Sequence, residues 1–282
     1  MQTFPRTQVE GISLPRMIAG TNWVLGYSHT SPAADTLIRC RYAQAQDVAR
    51  LMEAYLAHGI DAVMGPFEPD GALLLGVRMA GERAGRPMTI IDTPIVDVTD
   101  SAAGRAAARA RIERSAKMGA SICQLHHSCV EQLVNKHRGA IERLPDYLDM
   151  IRQAGLVPGL SAHMPELIVY SDANGYDVET YIQIFNCMGF LMQVEIETVA
   201  SIIQNAKKPV MTIKSMAAGR CSPYVGLTFS WNAIREKDMV TVGAFDPQEA
   251  EEDIEISLAA IEHRFPDLEK RSSPNQNQAA FG

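Results

Sequence analysis

The stretch Ser121-Ile122-Cys123-Gln124-Leu125-His126-His127 reads as a short apolar strand that runs into polar, titratable groups. A second stretch of the same kind, Gly159-Leu160-Ser161-Ala162-His163, follows one helix later. In a barrel of parallel strands, chemistry is done at the C-terminal strand ends. Histidine is the side chain whose charge changes most easily near neutral pH. Two neighbouring strands that both end in His therefore point to a small-molecule site. The plainer alternative is a pair of buried, hydrogen-bonded histidines that finish their strands and do nothing more.

Outward from this stretch, strand-like and helix-like segments alternate along the chain. Apolar runs at 17–23, 60–64, 88–93, 121–126, 156–162, 181–186, 210–214 and 239–245 read as strands. Helical spacing is clear at 44–58, where Val48, Leu51, Met52, Tyr55 and Leu56 share one side. It recurs at 72–84, 101–117, 144–153, 195–205, 223–234 and 247–263, and Pro165 suits the first turn of a short helix after the fifth strand. Asp100 or Ser101 can cap the third of these helices. The strands are apolar without alternation, as strands buried on both faces are. Eight such repeats predict a single (β/α)8 barrel over residues 1–270, with a polar tail at 271–282 that is expected to be flexible. An open doubly wound sheet would carry a glycine-rich phosphate loop after its first strand, and Gly20 and Gly26 do not form one.

The length of 282 residues suits one such barrel. Apolar residues make up 46% and charged residues 21%, the balance of a soluble globular protein. The net charge is −7, with no Lys/Arg block, so nucleic acid and anionic membrane surfaces are not expected partners. The N-terminus lacks the order of a signal peptide. Cys40, Cys123, Cys129, Cys187 and Cys221 are scattered singly, which argues against a disulfide framework or a zinc ribbon. Cys123 is out of phase with His126 and is expected to face a helix. The expectation is a cytoplasmic protein with reduced thiols. Met188-Gly189-Phe190-Leu191-Met192 is too apolar for a solvated loop, and is expected to cover the barrel mouth or to join copies of the chain in a homo-oligomer.

Several motifs, in order, resemble the aldo-keto reductases. Met17-Ile18-Ala19-Gly20-Thr21 resembles the opening strand of that family, and Gln124-Leu125-His126-His127 the "LH" end of its fourth. Gly159-Leu160-Ser161-Ala162-His163 resembles its fifth strand, Gln183-Ile184-Phe185-Asn186 its sixth, Lys214-Ser215-Met216-Ala217-Ala218-Gly219 its "KPLAGG", and Val242-Gly243 its end. The resemblance implies the barrel fold and NADPH-dependent carbonyl reduction by an Asp, a Tyr, a Lys and a His. His126 matches that His, and Ser161 and Gln183 match groups that hold the nicotinamide amide. The chain departs from the pattern elsewhere. Met64-Gly65-Pro66-Phe67 stands where the Asp is expected, no Tyr follows, and Asp92 stands at the Lys position. Phe245-Asp246-Pro247-Gln248-Glu249 offers no basic residue for the 2′-phosphate of NADP, so weak or no NADP binding is expected.

Read from the residues, Asp92, His126 and His163 end three consecutive strands. Two His and a carboxylate form a triad that binds a divalent metal with open positions, able to polarise a carbonyl or activate water. The alternative is a hydrogen-bonded network in which Asp92 orients a His. Without metal, His126 is a candidate base, with Asn186 or Lys214 as polariser. Lys214 sits in an apolar strand, so it is a candidate for Schiff-base chemistry or for binding an anionic group. Asn22 and Trp23, with Gln124, Ser161, Gln183 and Asn186, are candidate substrate contacts. The expected function is acid–base or metal-assisted lyase, isomerase or hydrolase chemistry on a carbonyl or polyhydroxy small-molecule substrate. The alternatives are an NAD(P)H-dependent reductase with altered residues, and a non-catalytic binding or regulatory barrel.

Overall fold

The computed structural model describes residues 3–268. The expected tail at 271–282 lies outside the described residues. Eight parallel strands close a barrel: β1 Met17–Gly20, β2 Ala62–Gly65, β3 Thr89–Asp92, β4 Ala120–Leu125, β5 Val157–Ala162, β6 Thr180–Ile184, β7 Val210–Ile213 and β8 Met239–Val242. Each strand pairs with the next in sequence, and β8 pairs with β1. The outer ring consists of α1 Ala45–Ala57, α2 Ala72–Ala84, α3 Ala102–Lys117, α4 Leu144–Gln153, α5 Glu166–Asn174, α6 Ile196–Asn205, α7 Pro223–Ala233 and α8 Pro247–Ile261. This is the (β/α)8 barrel that the alternation predicts.

The helices form where their apolar spacing and caps say they should. α1 buries Val48, Leu51, Met52, Tyr55 and Leu56. Of the two candidate caps before α3, Ser101 is the one used: its hydroxyl accepts from the Gly104 N–H at 2.9 Å. That supplies one of the orphan donors of the first turn. Among the described residues no helix is long and apolar enough to cross a membrane.

Strand phase decides what points into the barrel. Ile18, Ala62, Met64, Ile91, Ile122, Ile182, Met211 and Met239 form one inner apolar cluster. The alternate residues of the same strands pack outward against the helices. A hairpin closes the foot of this cluster. Its strands, Arg6–Val9 and Ile12–Pro15, place Val9 and Leu14 in the inner core. Its turn needs positive φ at both central residues, here Glu10 (45°) and Gly11 (80°). Glu-Gly is a weak hairpin signal, and the sequence reading missed it. Arg152 fastens the hairpin by pairing Glu10 at 2.5 Å and Asp177 at 2.7 Å.

Gln124 fits inside the barrel because β5 carries Gly159 opposite it. A Cβ on Gly159 would stand 2.3 Å from the Gln124 Cγ and 2.9 Å from its Cδ. Gln124 is fully buried, with its Nε2 against the Met211 sulfur at 3.5 Å. Gly159→Ala is therefore expected to destabilise the protein by about 1–3 kcal/mol, the usual cost of overpacking a filled interior. Urea unfolding checks this; an unchanged midpoint would show that Gln124 relocates freely.

Candidate active site

The loop after β4 carries the titratable groups His126, His127 and Glu131. His126 stands one residue past the strand and caps the short helix His127–Val130. Its Nδ1 lies 2.7 Å from the Ser128 Oγ and accepts from the Ser128 N–H at 3.3 Å. A backbone N–H can only donate, so Nδ1 is the acceptor and the neutral ring carries its proton on Nε2. By the alternation that turns Gln124 inward, His126 faces the barrel axis. Burial pushes its pKa down to about 4, with His127 and Lys214 adding to the effect. At neutral pH its ring is therefore uncharged, with a hydrogen-bond donor on Nε2.

The ring of His127 lies 4.2 Å from that of His126 and stacks on His163 at 3.5 Å, with 19° between planes. Burial and then His127 lower the pKa of His163 to about 3. Glu131 sits beneath the pair. Its Oε1 accepts from the backbone N–H of His163 at 2.7 Å and of Met164 at 3.1 Å. Its Oε2 lies 3.7 Å from the His127 Nδ1. Burial works against the Glu131 carboxylate, but these N–H groups and His127 outweigh it and hold it below the usual range.

Across the mouth, Lys214 follows β7 with φ 65°, and Ala217 (50°) and Ala218 (55°) are left-handed further along the same loop. Such conformations cost non-glycine residues roughly 1–3 kcal/mol each and gather at functional loops. The Lys214 Nζ lies 2.9 Å from the His29 Nε2, and the Asn22 Nδ2 lies 3.4 Å from the same atom. Burial lowers the Lys214 pKa to about 8. Burial also lowers that of His29, with Lys214 as the next cause. Trp23 packs edge-on to Phe245, with ring centres 6.0 Å apart, and stands over Gly243 at the end of β8.

Two expected site residues face away from the barrel interior, and a third is tied up in its own loop. Asp92 points outward. Its Oδ1 accepts from the Phe67 N–H at 3.0 Å, and its Oδ2 accepts from the Ser115 Oγ at 2.6 Å and the Arg111 Nη1 at 3.0 Å. Asp92 is fully buried behind α3, so it does not converge with His126 and His163. Ile91 faces the inner cluster beside Met64 and Ile122, and β3 pairs with β2 in unbroken register, so Asp92 takes the outward face, opposite Cys123 of β4. Burial and then Asp92 push the Cys123 thiol up, so it is not a nucleophile. Gln183 also faces outward, since Tyr181 two residues before it reaches Ser171 and Asp172 of α5. Asn186 is fully buried and holds its own loop: Nδ2 donates to the Phe190 carbonyl, and Oδ1 accepts from the Met188 and Phe190 N–H groups.

Gln124 and Ser161 do face inward. His127, Glu131 and His29 are the residues sequence reading passed over as site groups. His127 and Glu131 are spaced i, i+4, which places two side chains on one helical face, and that spacing was a readable signal. Met188 and Leu191 of the apolar loop are exposed, while Phe190 lies under Arg220 at 4.0 Å. All five cysteines are free thiols.

Residues at the start of α8 do not fit the phosphate that the aldo-keto reductase resemblance implies. The Asp246 Oδ1 caps the Glu249 N–H at 2.9 Å, and the Glu249 carboxylate accepts from the Phe245 N–H at 2.5 Å. Two carboxylates thus stand at this helix start and take up its backbone N–H groups, where a 2′-phosphate would meet like charge.

No family model matches the sequence, and no curated protein matches it. Solved structures do. A Pseudomonas aeruginosa protein described as an aldo-keto reductase superposes with a TM-score of 0.64 at 15% identity, covering 92% of this chain and 97% of its own. A thermostable aldo-keto reductase in complex with the inhibitor epalrestat gives 0.59 at 11%, covering 93% and 96%. Orotidine 5′-monophosphate decarboxylase from Methanocaldococcus jannaschii gives 0.51 at 14%, covering 90% and 98%. The chain therefore has an aldo-keto reductase-like (β/α)8 fold, one that also carries other chemistries.

Proposed function

We propose that the chain is an enzyme acting on a small carbonyl or polyhydroxy compound that bears an anionic group, by proton transfer next to the carbonyl, as isomerases and lyases do. The observation that carries this reading is the pairing of a cation with a neutral imidazole donor across the barrel mouth. Among the described residues Lys214 makes no ion pair with a carboxylate; its near partner is His29. Such a cation suits a substrate carboxylate or phosphate, and loops after the seventh and eighth strands commonly hold phosphate in barrels of this class. His126, with its proton on Nε2, is suited to polarise the carbonyl as an enolate develops, and the His29 Nε2, which faces the Lys214 and Asn22 donors and so carries no proton, is suited to take the proton from the adjacent carbon.

The test is a panel of phosphorylated and carboxylated carbonyl compounds in D2O, read by proton NMR for deuterium uptake next to the carbonyl. Uptake for an anionic compound and not for its neutral analogue is expected. No uptake from any member, or equal uptake from the neutral analogues, sinks the reading. Lys214→Met is expected to raise KM by roughly 10- to 100-fold, the worth of a charge-assisted hydrogen bond of about 1.5–3 kcal/mol. The sign with pH follows from the lowered pKa. Lys214 is a cation below about 8 and loses its proton above it, so KM in the wild type rises from pH 7 to 9. In Lys214→Met that rise disappears.

A further inference from the structure

We propose that His127, Glu131 and His163 bind a divalent transition-metal ion at the barrel mouth. One potential ligand atom from each of the three lies within 4.8 Å of the other two. Donors about 2.0–2.2 Å from a tetrahedral ion stand about 3.4 Å apart, so the set closes by at most about 1.4 Å, within reach of side-chain rotation. Two imidazoles and one carboxylate are the set that holds Zn2+ or Fe2+ while leaving positions open for substrate.

A second observation points to the same ion. The His127 Nδ1 is buried without a hydrogen-bond partner. Its neighbour, the Glu131 Oε2, lies at 3.7 Å, too far for a hydrogen bond. The His127 Nδ1 has thus given up water without gaining a hydrogen bond, which is costly for a buried polar group. An ion bound there satisfies it, with the Glu131 carboxylate within reach as a second ligand. Glu131 is also held in advance. Its other oxygen takes the backbone N–H groups of His163 and Met164, so the carboxylate keeps one fixed orientation and ties the two loops together. Ligand orientation by such outer contacts is what tuned metal sites use. The His126 ring stands 4.2 Å from that of His127, so the ion would share one end of the barrel with the His126 donor.

The proposal deepens the functional reading, since it names the Lewis acid of the same mouth. It is nonetheless tested by binding alone. The untagged, chelator-treated chain is titrated with Co2+ and with Zn2+ by calorimetry and visible absorption. One Co2+ per chain is expected, with d–d bands in the visible that Zn2+ abolishes by displacement. Glu131→Gln keeps acceptors for the His163 and Met164 N–H groups but removes the charge; it and His163→Ala are expected to weaken Co2+ binding by at least about 100-fold. His137→Ala, at an exposed position, is expected to leave it unchanged. Far-UV circular dichroism confirms that each variant is folded. No stoichiometric uptake, or uptake unaltered in both variants, overturns the metal site. Deuterium exchange that survives EDTA would overturn the Lewis-acid role and leave the acid–base reading standing. Tight Co2+ binding with no exchange on any anionic carbonyl compound would do the reverse.

Discussion

Asp92→Ala is expected to lower the melting temperature by roughly 6–20 °C, the effect of losing about 3–5 kcal/mol in a chain of this size. Asp92 lies fully buried and serves three donors at once. Arg111, whose side chain is 11% exposed, has its ion pair with this carboxylate at 3.0 Å. Removing the carboxylate strands a nearly buried guanidinium, leaves the Ser115 hydroxyl in a dry contact, and frees the backbone of Phe67. The cost of such a change lies mainly in the groups left behind. Differential scanning calorimetry measures it. A variant with an unchanged melting temperature and lost turnover would return Asp92 to the chemistry.

His126→Ala is expected to do the opposite. On the proposed reading it removes the donor that meets the developing enolate, a change that costs roughly 10²- to 10³-fold in kcat. Its structural part is small. His126 caps a one-turn helix by accepting from Ser128, and losing a cap costs about 0.5–2 kcal/mol. The test pairs kcat with the compound that exchanges in D2O against the urea midpoint of the same variant. A drop in stability beyond the cap's worth, with kcat falling only in proportion to the folded fraction, would make His126 a strand-finishing residue and no more.

The barrel itself was written in the chain. Eight apolar runs spaced by amphipathic helices leave few ways to bury both faces of every strand, and local signals such as Ser101 before α3 and the glycines after the helices mark where each element stops. Cys123 was correctly expected to face a helix, because it is out of phase with His126 on the same strand. Phase between strands is a different matter. β3 is four residues, Thr89-Ile90-Ile91-Asp92, apolar enough on both faces that no alternation shows which side is inner. Packing of Ile91 beside Met64 and Ile122 in the inner cluster turns Asp92 out, and no local feature of the sequence announces it.

Loop geometry is likewise a product of tertiary structure. His127 and His163 stack because β4 and β5 are neighbours, and Glu131 reaches the backbone of His163 because the short helix after β4 folds over the end of β5. Lys214 meets His29 across 185 positions only because the barrel closes β8 onto β1 and brings the loops after β7 and β1 to one rim. Sequence by itself determined which elements form, their order, and the end of the barrel that bears the titratable groups, since those depend on local propensity and apolar period. Strand register, ring closure and loop path decided which of those groups meet, since they fix side-chain directions through contacts far apart in the chain.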